Sequence, residues 1–322
     1  MTISSNTIFL FRHVALTLLL FAGVAHAAVF PLDESGGDLV GADSSVLSSY
    51  EDTFIEIGRA NNLGFEELRM ANPDVDPWLP GEGREIVLPT RYILPAGKRQ
   101  GIVINVAEYR IYYFYSVDGV QFVSTVPASV GRMDWETPVG ATGIVAKAHK
   151  PNWYPPESVR AEHAAEGDVL PRVVPAGPDN PLGDYALRLG LPGYLIHGTN
   201  KPAGIGMQVT HGCIRLLPED IAWLFPRVDL QTPVRLINEP LKFGWIGDEL
   251  FLEVHRPLAA AGDGAAEDMT LITRAYVAAT GSRSAEVDWG LVAQVYKAQT
   301  GVPVSVGRLV PPVEAEVLSR SD

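Results

Sequence analysis

Cys213 is the only cysteine in 322 residues, with His211 two positions before it and His197 sixteen before it. A thiol attacks carbonyls as its thiolate, and a neighbouring imidazole can take the proton and stabilise the anion. Gly212 beside Cys213 lets a substrate carbonyl approach the backbone, whose successive N–H groups can form an oxyanion hole. Arg215 offers a fixed positive charge for a carboxylate, or an anchor for the loop. Acyl transfer through a thioester is the chemistry these residue types suit. Two other arrangements use the same residues. A zinc site of His197, His211 and Cys213 lacks a convincing fourth ligand or a paired Cys-x-x-Cys. An inert buried thiol sits poorly with the glycine and polar neighbours of Cys213. Spacing leaves the base open. An extended chain from Thr210 to Cys213 would project His211 to the side of Cys213, whereas His197 closes a strand and can face the cysteine from a neighbouring one. His197 is preferred.

These residues need a rigid frame, and the flanking sequence reads as strands. Ile102, Ile104 and Val106 alternate with Val103 and Asn105, and residues 110–115 are β-branched and aromatic after Arg110. Asp118-Gly119 signals a hairpin turn into a strand over 120–126. Further strands are expected at 143–146, 185–189, 194–197 and 234–237. Pro218-Glu219-Asp220 begins a helix whose acidic first turn suits the positive end of its dipole, with Ile221, Leu224 and Phe225 facing inward. Residues 151–181 carry seven prolines together with Trp153, Tyr154, His163 and Asn180. Such a long irregular stretch, feeding into the strand that delivers His197, reads as a lid.

On either side lie smaller units. Residues 28–44 read as a loosely ordered leader, and 45–90 as a compact α+β unit. In that unit Thr53 and Glu56 have capping-box spacing, a second helix over 65–71 stops at Asn72-Pro73, and a strand follows at 84–88. After Glu239-Pro240, residues 239–322 read as an accessory α/β cap: a strand at 250–255, a Gly/Ala-rich linker at 259–266 and two amphipathic helices. One helix aligns Met269, Ile272, Tyr276 and Ala279, and the other Val292, Val295 and Tyr296.

Residues 1–27 have the layout of a secretory signal, with Arg12, an apolar core over 14–24 and Ala25-His26-Ala27 before the expected cleavage. The apolar run is shorter than the roughly 20 residues needed to span hydrocarbon, so no stable membrane insertion is expected after cleavage. Exported proteins usually carry paired cysteines or none, which makes one unpaired thiol noteworthy. A net charge of -13 repels polyanions and argues against nucleic acid as a partner.

His197-Gly198-Thr199-Asn200, then Gly204-Ile205-Gly206 and Thr210-His211-Gly212-Cys213-Ile214-Arg215, resembles the signature of the L,D-transpeptidases with a YkuD-type catalytic domain. Gly140-Ala141-Thr142, residues 173–183 and residues 219–225 resemble the bacterial branch that includes periplasmic enzymes attaching the murein lipoprotein. Asp52-Thr53, Ala71-Asn72-Pro73 and Ile86-Val87-Leu88-Pro89 resemble a LysM-type peptidoglycan-binding module. The resemblance implies a mainly β, sandwich-like catalytic domain over 99–238, located in the periplasm, with no metal or organic cofactor. It implies that Cys213 attacks the meso-diaminopimelate carbonyl of a peptidoglycan tetrapeptide stem and expels D-alanine. The acyl group then passes to a lipoprotein lysine or to another diaminopimelate, giving a 3-3 cross-link. By the same resemblance His197 is the proton donor and acceptor, oriented by the backbone near Gly198. His211, Gly212 and Thr210 shape the oxyanion region, and Arg215, Thr199 and Asn200 contact substrate. A hydrolase passing the thioester to water, and a wall-binding protein with an idle site, are the competing readings.

Overall fold

The computed structural model describes residues 27–32, 36–258, 269–281 and 283–310, so all of the signal segment over 1–27 except Ala27, and the linker over 259–266, lie outside the described residues. Its centre is a nine-stranded sheet. In spatial order the strands are Ala28–Pro31, Val120–Pro127, Arg110–Val117, Gly101–Asn105, Pro233–Ile237, Gly140–His149, Tyr185–Leu189, Leu195–His197 and Ile214–Arg215. Ile102, Ile104 and Val126 from one half pack in a single core with Leu187, Ile196 and Ile214 from the other. The sheet therefore curls on itself, and the expected sandwich-like packing resolves into one continuous sheet. The halves are joined where Gly140–His149 pairs with Pro233–Ile237. The hairpin turn lies at Asp118 and Gly119, whose φ of 51° and 84° suit a tight two-residue connection.

The leader is more ordered than its composition suggests. Ala28–Pro31 pairs antiparallel with Val120–Pro127, Leu39–Gly41 with Arg91–Ile93, and Ser44–Leu47 with Glu85–Leu88. Each segment is three or four residues long. Their order comes from capture at existing strand edges, a long-range effect that short local runs do not announce.

Residues 44–88 follow the order strand, helix Phe54–Ala60, helix Phe65–Ala71, strand. Thr53 and Glu56 form the expected capping box, a device worth about 1 kcal/mol. Phe54, Leu68 and Ile86 are fully buried in a small core of their own. This unit is seated on the sheet. The N–H groups of Phe65 and Glu66 donate to the carbonyls of Ile205 and Gly206, in the connection between His197 and Cys213. Gly64 and Gly206 touch so closely that a Cβ on Gly206 would lie 2.3 Å from the Gly64 Cα, so both must be glycine.

The C-terminal region holds more strand than expected: Leu241–Ile246, Glu249–Val254, Val304–Leu309 and Ala285–Val287 form a four-stranded sheet. Helices Met269–Thr280 and Trp289–Ala298 pack on it through Ile272, Val292, Val295 and Tyr296. Met269, expected on that packed face, is half exposed at the first turn. Lys242 lies between Glu108, beside the nine-stranded sheet, and Glu253 of the C-terminal region, 2.7 Å from each, and all three are buried. Among the described residues no helix is long and apolar enough to cross a membrane.

Candidate active site

Two adjacent parallel strands deliver the central pair. Ile196 pairs with Ile214 and His197 with Arg215, and both isoleucines are fully buried in the core. Side chains alternate along strands, so His197, Cys213 and Arg215 share the opposite face. All three line one cleft of ≈ 510 Å³.

His197 is buried, and its Nδ1 lies 2.6 Å from the carbonyl oxygen of Gly198. A carbonyl only accepts, so Nδ1–H donates and Nε2 keeps a free lone pair, the form a general base needs. Burial pushes the His197 pKa down to about 4, and the nearby Arg215 charge adds to this, while the Gly198 bond opposes it. Burial likewise pushes the Cys213 thiol up, against the Leu195 backbone hydrogen bond and the Arg215 charge, which favour thiolate. The thiol stands 3.6 Å from the Gly193 carbonyl. At neutral pH the resting pair is therefore neutral thiol and neutral imidazole.

His211 lines the same cleft but is engaged elsewhere. Its Nε2 donates to Glu162 Oε2 at 2.8 Å, and its ring meets Trp135 edge-on. The expected extended run from Thr210 to Cys213 is interrupted, because Gly212 has φ +94°. A Cβ there would lie 2.9 Å from Tyr194, so only glycine fits the bend. The bend is pinned from both ends: Thr210 Oγ1 donates to the Cys213 carbonyl at 2.6 Å, and Thr137 Oγ1 to the Gly212 carbonyl at 2.8 Å. Thr210 thus shapes the turn with its hydroxyl already committed.

Thr199 and Asn200 lie elsewhere. They border a second depression with Pro178, Asn180 and Pro218, outside the Cys213 cleft. Thr199 is buried with its hydroxyl accepting from Lys201 N–H, and Asn200 bonds to the Pro178 carbonyl. Beyond Gly198, whose carbonyl serves His197, both residues line that depression and not the cleft that holds the thiol. Among the described residues, the trio of metal-ligating types that converges is Glu108, Glu253 and His255, not His197, His211 and Cys213. The ammonium of Lys242 already occupies that buried acidic cluster.

The Pro-rich stretch is partly helical: Glu157–Ala165 forms a helix whose Val159 is buried and lines the cleft with Trp153, Tyr154 and Pro156. Proline count masked a run of good helix formers between Pro156 and Gly167. Glu162 on this helix binds His211 and also Arg132, two partners that hold its carboxylate below the usual range, Arg132 contributing most. Asn180 is fully buried and ties the other end, donating to the carbonyls of Pro151, Val174 and Pro175. Glu162 and Arg132 had no signal in the sequence, because their partnership spans 30 residues.

The family described as the YkuD L,D-transpeptidase catalytic domain matches residues 99–236. The chain is 39% identical over 292 residues to the probable L,D-transpeptidase YcfS of Escherichia coli, covering 88% of this chain and 90% of that one. It is 37% identical over 299 residues to the probable L,D-transpeptidase ErfK/SrfK of Salmonella typhimurium, covering 90% and 94%. With the probable L,D-transpeptidase YbiS of Escherichia coli it shares 37% over 289 residues, covering 88% and 94%.

Proposed function

The chain belongs to the L,D-transpeptidase family built on the YkuD catalytic domain, enzymes of peptidoglycan, and from that premise we propose that it is an exported, periplasmic cysteine transpeptidase acting through Cys213. The observation that carries the reading is the shared strand face of Cys213 and His197, with Nδ1 of His197 held by the Gly198 carbonyl. His197 Nε2 takes the thiol proton as sulfur attacks the meso-diaminopimelate carbonyl of a tetrapeptide stem. The tetrahedral intermediate collapses to a thioester, and the same imidazole returns the proton to the departing amine of D-alanine. An amine then attacks the thioester, either a lipoprotein lysine or the side chain of another diaminopimelate. His211, Gly212 and Thr210 form the turn that presents Cys213, and Arg215 meets a substrate carboxylate. The unit over 45–90 holds glycan of the wall, and its bonds to Ile205 and Gly206 keep the site at a fixed place relative to that anchor.

Expression in a strain lacking such enzymes, followed by muropeptide analysis, tests this. New 3-3 dimers or lipoprotein-bearing muropeptides support transfer and name the acceptor; tripeptides alone would replace it with hydrolysis.

A further inference from the structure

The cleft reverses the charge of the chain around it. Acidic residues outnumber Lys and Arg by 38 to 25, yet the cleft is lined by Lys147, Arg188 and Arg215 and by no carboxylate. Lys147 is already committed, donating to the Val228 carbonyl at 2.6 Å and lying over the Phe225 ring. Arg215 is largely buried beside His197, where burial lowers its pKa. Arg188 differs from both. It is exposed, and among the described residues no carboxylate, carbonyl or ring partners its guanidinium.

Register fixes where that guanidinium stands. Arg188 pairs with Leu195, and Leu195 lies one step before the Ile196–Ile214 pair, opposite Cys213. Leu187 and Leu189 are buried in the core, so Arg188 rises from the same face as Cys213. Two strand spacings of about 4.8 Å put the two residues about 10 Å apart along one row. A carboxylate adjacent to the scissile amide is too close to the sulfur to suit this position. One at the far end of the attacked residue's side chain suits it: six C–C bonds of about 1.5 Å each span about 7.5 Å in zigzag, and the flexible arginine stem covers the rest.

Resting on the acyl-donor reading above, we infer that Arg188 is a specificity-determining residue that binds the free side-chain carboxylate of the residue whose carbonyl Cys213 attacks. A guanidinium engages a carboxylate through paired charge-assisted hydrogen bonds and gains far less from the neutral amide. The enzyme should therefore distinguish wall stems whose diaminopimelate carboxylate is free from stems in which it is amidated.

The test uses the mature full-length chain and synthetic tetrapeptide stems, reading kcat and KM for D-alanine release. One stem carries the free diaminopimelate side-chain carboxylate, one its amide, and one an amide at a carboxylate of a different stem residue instead. The wild type should favour the free acid over the diaminopimelate amide by about tenfold or more in kcat/KM, mainly through KM. Arg188→Ala should bring that ratio toward one, and Arg188→Lys should restore part of it. Equal wild-type rates on free acid and amide would overturn the inference alone. So would an Arg188→Ala effect that follows the amide at the other stem residue instead. Absence of D-alanine release from every stem would overturn the acyl-donor reading as well.

Discussion

Arg110 of the central sheet and Glu67 of the second N-terminal helix form a buried ion pair, with Nε 2.6 Å from Oε1 and Nη2 3.0 Å from Oε2. Two further donors of Arg110 reach Thr125 Oγ1 and the Asn62 carbonyl, and its guanidinium lies 4.4 Å over the Tyr92 ring. Glu67 also caps its own helix by accepting from Gly64 N–H, next to the residues that bond the catalytic connection. Removing one partner strands a buried charge, which costs about 3–5 kcal/mol, whereas replacing both by apolar residues is often neutral. Glu67→Leu alone should therefore lower the denaturation midpoint strongly. Adding Arg110→Met should recover much of the loss, as read by urea unfolding of the double-mutant cycle.

His197 carries a pH consequence. Its pKa in the folded protein is about 4, below the ordinary 6.5. Its neutral burial therefore contributes stability that is present above pH 6.5 and is lost as pH falls through about 4. His197→Gln should flatten that part of the stability profile. It should also slow acylation of Cys213 by about 10²–10⁴-fold, the usual worth of a positioned base. Stopped-flow acylation and pH-dependent unfolding read the two effects separately.

Glu162 should behave in the opposite way, mattering to motion more than to stability. Its carboxylate is solvent-accessible, and ion pairs of that kind contribute little to stability. Glu162→Ala should leave the melting temperature nearly unchanged while releasing His211 and the Glu157–Ala165 helix. Amide hydrogen exchange in that helix should rise clearly, and Glu162→Gln, which can still accept, should show a smaller rise.

Asp220 is a buried carboxylate with neither oxygen hydrogen-bonded. Burial, with the Glu219 charge, pushes its pKa up to about 7. A carboxyl with a raised pKa favours folding while protonated, so its contribution declines as pH rises from about 4 through 7. Asp220→Asn should remove this decline and make the protein more stable than wild type at pH 8, in calorimetric scans taken at both ends of the range.

How much was legible in the sequence depended on how local each signal was. The strands over residues 102–126 announced themselves by alternation, by β-branched and aromatic content and by the Asp118-Gly119 turn, and the helix Phe65–Ala71 by its Asn72-Pro73 stop. Cys213 and His197 stood out as candidates because few residue types do nucleophilic chemistry, and both line one cleft. The edge strand Ala28–Pro31, the ion pair Arg110–Glu67 and the bond from Glu162 to His211 were not. Each depends on residues far apart in sequence that only the curled sheet brings together. Thr199 and Asn200 follow His197 in sequence, yet they line a second depression, a placement that adjacency alone does not reveal.

The central claim is that Cys213 carries the acyl group, and intact-protein mass measured after exposure to a tetrapeptide stem or a carbapenem tests it most directly. The account predicts a covalent acyl adduct on the wild type and none on a folded Cys213→Ala variant. An adduct of equal yield on that variant would contradict it.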